Sequence, residues 1–343
     1  MSPDDLSYGE CCQIIDQLAA YAPMILVLSG GEPLWRRDVF DLARRARSRN
    51  IRVALATNGT LVDEAMAMRI KDAGIERVSI SLDGADRTTH DTFRGHDGAF
   101  DAALHGLKCL KDLGISTQIN STVSHHNSHQ LPEILKLAIS LGVDAFHLFL
   151  LVPVGCGLTI ADDQAVHGDE AEEILNWFYD RSLDSGIELK ATCAPHYYRI
   201  VRQRRAEARR AGLPVPELPG RGHHHGAAGG GHPAAMNQMT RGCLAGTGVC
   251  FISHLGEVQP CGYLPVSAGN LRKQAFQSIW ESADVFRTLR DDANLEGKCG
   301  HCEFTGVCMG CRARAYGITG NYLAEEPFCI YQPRMTSQPR PAL

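Results

Sequence analysis

Between residues 24 and 152 the chain alternates two hydrophobic rhythms. Short runs rich in β-branched and apolar residues, Met24–Leu28, Arg52–Ala56, Arg77–Ser81, Thr117–Ser121 and Ala145–Val152, predict strands. The segments between them place apolar residues at helical spacing. Leu131, Ile134, Leu135, Ala138 and Leu141 fall on one helix face, as do Ile14, Ile15 and Leu18, preceded by Cys11, ahead of the first strand. Gly74, Gly114 and Gly142 stand near helix ends, where a left-handed residue is often needed. Serial β-α units of this length imply an α/β domain over residues 1–155, its parallel sheet either open or curled into a full or partial barrel.

In such folds chemistry gathers at the carboxyl ends of the strands. Those ends read Ser29-Gly30-Gly31-Glu32-Pro33, Thr57-Asn58-Gly59-Thr60, Ser81-Leu82-Asp83-Gly84 and Asn120-Ser121-Thr122. Small residues let a ligand approach the backbone, and single polar side chains fix its orientation. Taken singly, each is an ordinary turn. Four in succession at one end of a sheet mark a binding rim.

The second half changes character. Residues 156–239 read as a connecting helix and an insertion, in which residues 206–239 are rich in Pro, Gly and Ala and carry His223-His224-His225. That composition suits a mobile linker; a metal or heme role for the histidines is the lesser alternative. Residues 240–333 form a cysteine-rich domain, and residues 334–343 a tail. Eight of the 13 cysteines lie here, as Cys243-x6-Cys250-x10-Cys261, then Cys299-x2-Cys302-x5-Cys308-x2-Cys311, then Cys329. Thiolates are soft ligands, and a 4Fe–4S cluster usually takes four, so eight suit two clusters. Zinc is the rival, because paired C-x2-C units also make closed tetrahedral sites.

Composition narrows the partners. A net charge of −5 over 343 residues argues against nucleic acid held by a general field, and 44% hydrophobic residues can fill a core. No run approaches the roughly 18 apolar residues of a membrane span. No basic stretch followed by an apolar one opens the chain, so a reducing cytoplasm is expected and disulfides are not.

Gly30-Gly31-Glu32-Pro33 after an apolar strand, with Thr57-Asn58-Gly59, Ser79-Ile80-Ser81-Leu82-Asp83-Gly84 and Arg94-Gly95, resembles the radical S-adenosylmethionine (SAM) superfamily. The resemblance implies a partial (β/α)6 barrel lacking its first strand. It assigns Gly30, Gly31, Glu32 and Pro33 to the methionine end of SAM, with Asn58, Ser81, Asp83, Asn120 and the backbone near Leu151 and Val152 around the rest of that cofactor. The tail resembles the SPASM extension, which carries two auxiliary 4Fe–4S clusters. Gly256 to Cys261 matches its Gly-x4-Cys, and Cys299, Cys302 and Cys308 match its C-x2-C-x5-C; Cys311 follows after two residues where three are usual. Its interleaved ligation implies one cluster on Cys243, Cys250, Cys261 and Cys311 and another on Cys299, Cys302, Cys308 and Cys329. Cys250 sits in the apolar run Val249-Cys250-Phe251-Ile252, where a buried thiol is also ordinary.

Thr240 to Gly248, Gly262-Tyr263-Leu264-Pro265, Cys311 to Tyr316 and Leu323 to Pro327 are similar to the tetrapyrrole-modifying branch of heme biosynthesis. Phe251 to His254 and Leu189 to Tyr198 most resemble its Fe-coproporphyrin III decarboxylases (heme b synthases), with the heme d1 proteins next. The branch implies an oxidoreductase in which an adenosyl radical takes hydrogen from a propionate, carbon dioxide leaves, and the surplus electron passes to an acceptor, leaving a vinyl. It implies a tetrapyrrole substrate and an electron donor such as flavodoxin or ferredoxin, with neither nucleic acid nor membrane as partner. A porphyrin is an apolar disc with carboxylates, so His196, Tyr197, Arg199, Arg241, Arg312 and Arg314 are its candidate contacts. Arginines beside cluster cysteines also serve simply to offset charge.

The superfamily's C-x3-C-x2-C loop, which holds the SAM-cleaving cluster, is absent from the 343 residues. Cys11 and Cys12, about 100° apart around a helix, do not replace it. The expectation is an N-terminally short gene model that, as written, does not catalyse the family reaction and exposes a sheet edge. The alternatives are removal of siroheme-derivative side chains, peptide maturation, or a non-catalytic iron–sulfur remnant. Cys109 and Cys156 read as packing thiols, while Cys193 is open between a structural hinge and a pocket wall.

Overall fold

The structure, a computed structural model, describes residues 2, 4–215 and 242–334, except for the side chains of Cys156 and Asp162. Arg241, His223 to His225 and the tail beyond residue 334 therefore lie outside the described residues.

Six parallel strands pair in chain order: β1 (Ile25–Leu28), β2 (Arg52–Thr57), β3 (Arg77–Ser81), β4 (Ser116–Val123), β5 (Ala145–Leu150) and β6 (Glu188–Thr192). They form a curled half-barrel. All five expected strands are present. The sixth comes from the segment read as a connector, since the helix Gly168–Ser182 crosses over and returns the chain beside β5. Asn120 to Thr122 lie inside β4 rather than in a loop after it. The helix His196–Arg210 extends into the segment read as an insertion, because arginine, alanine and glutamate in its last turns are good helix formers.

The strands alternate strictly. Val53, Leu55, Val78, Ile80, Ile119, Phe146, Leu148 and Leu189 face the helices and form the core. The opposite, concave face carries Arg77, Gln118, His147, Glu188 and Lys190, as the register of β3 through β6 requires. β1 forms one edge of the sheet, with Val27 54% exposed. The expected open edge is there.

The cysteine-rich domain begins with a small antiparallel sheet of β7 (Phe251–Ile252), β8 (Glu257–Gln259) and β9 (Gly269–Asn270). It docks on the first helix, Tyr8–Tyr21, through an edge-on Tyr21–Phe276 contact at 5.5 Å and an Arg272–Glu10 ion pair at 2.7 Å. Ser7 and Glu10 cap that helix reciprocally, which fixes where it starts.

One glycine in the rim is tightly confined. A Cβ on Gly84 would lie 2.6 Å from the His90 backbone nitrogen and 2.9 Å from Thr89 Cβ. Gly84→Ala is expected to destabilise the chain by about 1–3 kcal/mol, read as a lower urea midpoint at unchanged slope.

Candidate cofactor and cluster site

The rim at the carboxyl ends of β1 to β3 is held by internal hydrogen bonds. Glu32 accepts from Leu34 N at 3.0 Å, Thr57 Oγ1 at 2.8 Å and Asn58 N at 2.8 Å, so its carboxylate ties the β1 turn to the β2 turn. Asn58 in turn accepts from Thr60. Space around Gly30 and Gly31 is open: a Cβ on either would meet nothing within 4 Å. Pro33 starts a short 3-10 turn and is buried. Asp83 is fully buried; it accepts from Thr122 N at 2.6 Å and pairs with Arg94, so it braces the turn from within. Val152 is also buried, and its carbonyl accepts from Val154 N. Ser81 and Asn120 are register partners on the concave face, both half-buried. Of the expected cofactor contacts, these two lie on the concave face, the Gly30–Gly31 backbone is open, and Asn58 is half-buried in the β2 turn.

Sequence reading missed the polar floor beneath them. Gln118 donates to Asn120 at 2.7 Å and lies 3.0 Å from His147 Nδ1; Glu188 sits 3.3 Å from Arg77 and 3.8 Å from His147 Nε2. Burial holds His147 and Lys190 below their ordinary pKa values. The signal was present in the period-two alternation, which puts Gln118 on the face of Asn120, and Lys190 on that of Thr192.

The eight cysteines of the tail separate by neighbourhood. Cys299, Cys302, Cys308 and Cys329 line one cavity together with Arg199, Lys298 and Tyr331. Backbone amides point at three of these thiols: Phe304 N to Cys302 and Gly310 N to Cys308 at 3.4 Å, and Glu326 N to Cys299 at 3.3 Å. Met309 and Gly310 both take left-handed φ values, 64° and 65°, to turn those amides inward. Burial raises the pKa of Cys302, Cys308 and Cys329 as free thiols. Cys243 and Cys261 gather instead around Cys311, whose charge acts on both, and Cys193 hydrogen-bonds to Cys311. That bond, with Arg314 nearby, brings the Cys311 thiol down to about 7 against its burial, while burial pushes Cys261 up to about 12. Cys250 is raised to about 11 by burial alone, with no thiol acting on it.

Among the described residues no three of these thiols come within 4.8 Å of one another, whereas four thiolates on one zinc at about 2.3 Å would lie within about 4.6 Å. The nests offer the thiol donors that an iron–sulfur cluster takes.

Arg312 and Arg314 are fully buried. Arg312 donates to the Tyr322 and Ala324 carbonyls at 3.0 and 2.7 Å. Arg314 pairs with buried Glu326 at 3.1 Å and donates to Cys193 O at 2.7 Å and Leu150 O at 3.3 Å. Both act as internal braces, leaving no guanidinium surface for a substrate arriving from solvent. Arg199 is spent on Glu172 and Gln203 beneath the Tyr331 ring. His196 is wholly buried, with both ring nitrogens lacking partners among the described residues, and burial takes its pKa down to about 3. Tyr197 packs edge-on against Phe178. Of these five candidates, Arg199 lines an open pocket of about 460 Å³ with Glu172, Gln203 and Tyr331, while the other four are buried.

A half-barrel with a glycine-lined rim, capped by two thiol nests, defines a cofactor-using iron–sulfur class of protein. Residues 3–138 match the radical SAM superfamily and residues 243–303 match SPASM, an iron–sulfur cluster-binding domain. The chain is 48% identical over 329 residues to the AdoMet-dependent heme synthase of Methanosarcina barkeri, a match covering 96% of this chain and 88% of that one. It is 45% identical to the AdoMet-dependent heme synthase of Oleidesulfovibrio alaskensis, covering 97% of this chain and 81% of that one. Among solved structures, Streptococcus suis SuiB bound to S-adenosylmethionine shares the fold, with a TM-score of 0.68 at 15% identity over 95% of this chain and 70% of that one. The chain belongs to the radical SAM superfamily and, within it, to the family of enzymes that holds the AdoMet-dependent heme synthases.

No helix among the described residues is long and apolar enough to cross a membrane.

Two outcomes follow from the Arg314–Glu326 pair. Removing one member of a buried pair strands the other, so Arg314→Met is expected to cost about 3–5 kcal/mol in chemical denaturation, with the double variant Arg314→Met/Glu326→Gln recovering much of it. Burial acts to raise the Glu326 pKa, but Arg314 and neighbouring cations outweigh it and the net shift is downward. A carboxyl depressed in the folded state contributes stability above its unfolded value of about 4.3, lost as pH falls through the folded value. Acid titration of the cluster-free chain is expected to show that loss in the wild type and not in the double variant.

Proposed function

We propose that this chain serves heme synthesis as a radical SAM enzyme on an iron porphyrin, with oxidative decarboxylation of propionates to vinyls as its reaction. The observation that carries the reading is the pairing of a SAM-type rim with two buried thiol nests in a chain 48% identical to an AdoMet-dependent heme synthase. Cys299, Cys302, Cys308 and Cys329 would hold one 4Fe–4S cluster, and Cys243, Cys261 and Cys311 most of another. When bound, such clusters supply one-electron transfer. The 343 residues contain no C-x3-C-x2-C run, so no step is assigned to them through a cluster of that kind.

The chain's own residues divide the remaining work. The Gly30–Gly31 backbone would meet the ammonium of SAM, while Glu32, already engaged by three donors, fixes the shape of that turn. Ser81 and Asn120 would orient the sugar. The substrate disc would lie between the β5–β6 rim, with Phe149 and Thr192, and Tyr263, which is 41% exposed and close enough to feel both Arg94 and the Cys311 nest. Lys190, which feels the charge of Glu188, would be the cation that meets a propionate. A donor such as flavodoxin or ferredoxin would supply electrons.

Anaerobic loading is expected to give roughly eight irons with matching sulfide per chain and little zinc. Titration of that material with Fe-coproporphyrin III, followed by its Soret band, is expected to saturate, and Lys190→Met to weaken binding about tenfold, or about 1.4 kcal/mol. A porphyrin with esterified carboxyls should not compete. Failure to bind the free acid, with a peptide binding instead, would move the assignment to peptide-maturing chemistry.

A further inference from the structure

We propose that Cys193 is the fourth ligand of the cluster held by Cys243, Cys261 and Cys311, in the place the family pattern would give to Cys250. The inference rests on the reading above that the nests hold 4Fe–4S clusters, and it names a ligand from the barrel rather than from the cysteine-rich domain.

Three features of the fold place Cys193 there. It is the residue after β6, whose last register pair is Phe149 with Thr192, so it stands on the rim facing the cysteine-rich domain. Its φ is 55°, a left-handed conformation for a residue with a side chain, which ordinarily costs on the order of 1–3 kcal/mol and persists where the surroundings enforce it. Arg314 is the enforcing group, donating to the Cys193 carbonyl at 2.7 Å and holding it in the same grip as Leu150 and Leu151. The turn holds Cys193 on the rim against Arg314, on the helix that Cys311 caps, and Cys311 and Cys261 act on its thiol. Cys193, Cys243 and Cys261 thus gather around Cys311.

Cys250 is turned elsewhere. β7 pairs Phe251 with Gln259, so carrying the register back one residue sets Cys250 opposite Pro260. Cross-strand partners share a face and successive residues alternate, so Cys261 points to the other side from Cys250.

The test uses the whole chain, reconstituted anaerobically with iron and sulfide alone. Cys193→Ser is expected to lose about four of roughly eight irons, together with one reduced-cluster signal in electron paramagnetic resonance, while Cys250→Ser keeps the wild-type count and spectrum. Cys193→His, which restores a ligand rather than a packing volume, should recover iron with a shifted signal, a change that a structural role would not produce. Circular dichroism melts of the cluster-free chains separate misfolding from ligand loss. Full iron and an unchanged spectrum in Cys193→Ser, or an equal loss in Cys250→Ser, overturns the assignment while leaving the cluster reading intact. A wild-type chain that takes up no iron overturns the cluster reading and this inference with it.

Discussion

The contact on which the rest depends is the fully buried ion pair of Arg314 and Glu326. Its guanidinium reaches the carbonyls at the ends of β5 and β6, and its carboxylate accepts the amide of Cys311. Barrel rim, the nest around Cys311 and the cysteine-rich domain are therefore fastened at one point. Taking two charges out of water costs several kcal/mol each, which the pair recovers only because nearly every polar atom has a partner. The same arithmetic makes the arrangement a specific one: a shift of the cysteine-rich domain relative to the sheet would strand both charges in apolar surroundings.

That fastening also explains how one alternation serves two purposes. In β3 to β6 the outward residues are mostly apolar and carry the core, with Thr117 and Ser121 the buried polar exceptions, while the inward ones include Ser81, Asn120, His147 and Lys190 in one cross-strand row, with Gln118 and Glu188 in the row below. A parallel sheet covered on both faces would ordinarily be apolar on both. Here the inner face stays polar, which is physically reasonable only if that face borders ligand and solvent rather than helices.

How much of this was legible varied with how local the cause was. Strand positions came through because hydrophobic period is a local property, and the GGEP and TNG turns because they follow strands directly. β6 was missed: Glu-Leu-Lys-Ala-Thr is short, carries two charges in five residues, and is paired only by a crossover that sequence does not reveal. Arg312 and Arg314 looked available for a substrate because their partners, Tyr322, Ala324, Glu326 and the β5 carbonyls, are fixed by folding and not by spacing. The cysteine spacing announced two clusters. It could not reveal that no thiol acts on Cys250, nor that a barrel cysteine stands near Cys311.

The two nests are also tied to one another. Cys308 belongs to one and Cys311 to the other, and three peptide units span at most about 11 Å. Met309 and Gly310, both left-handed, fold that link so that the Gly310 amide serves Cys308 while its end caps the helix Arg312–Thr319. A Cβ on Gly310 would lie 2.8 Å from Glu326 Cβ and 3.3 Å from Cys299 Sγ, so the turn admits no larger residue without moving either the brace or a thiol. Arg312 reaches Cys299 at 3.8 Å, with Arg199 and Lys298 beside the same nest, and Arg314 bears on Cys311, so fixed cations stand at both nests. With clusters in place, those cations would favour the more negative, reduced state at both positions.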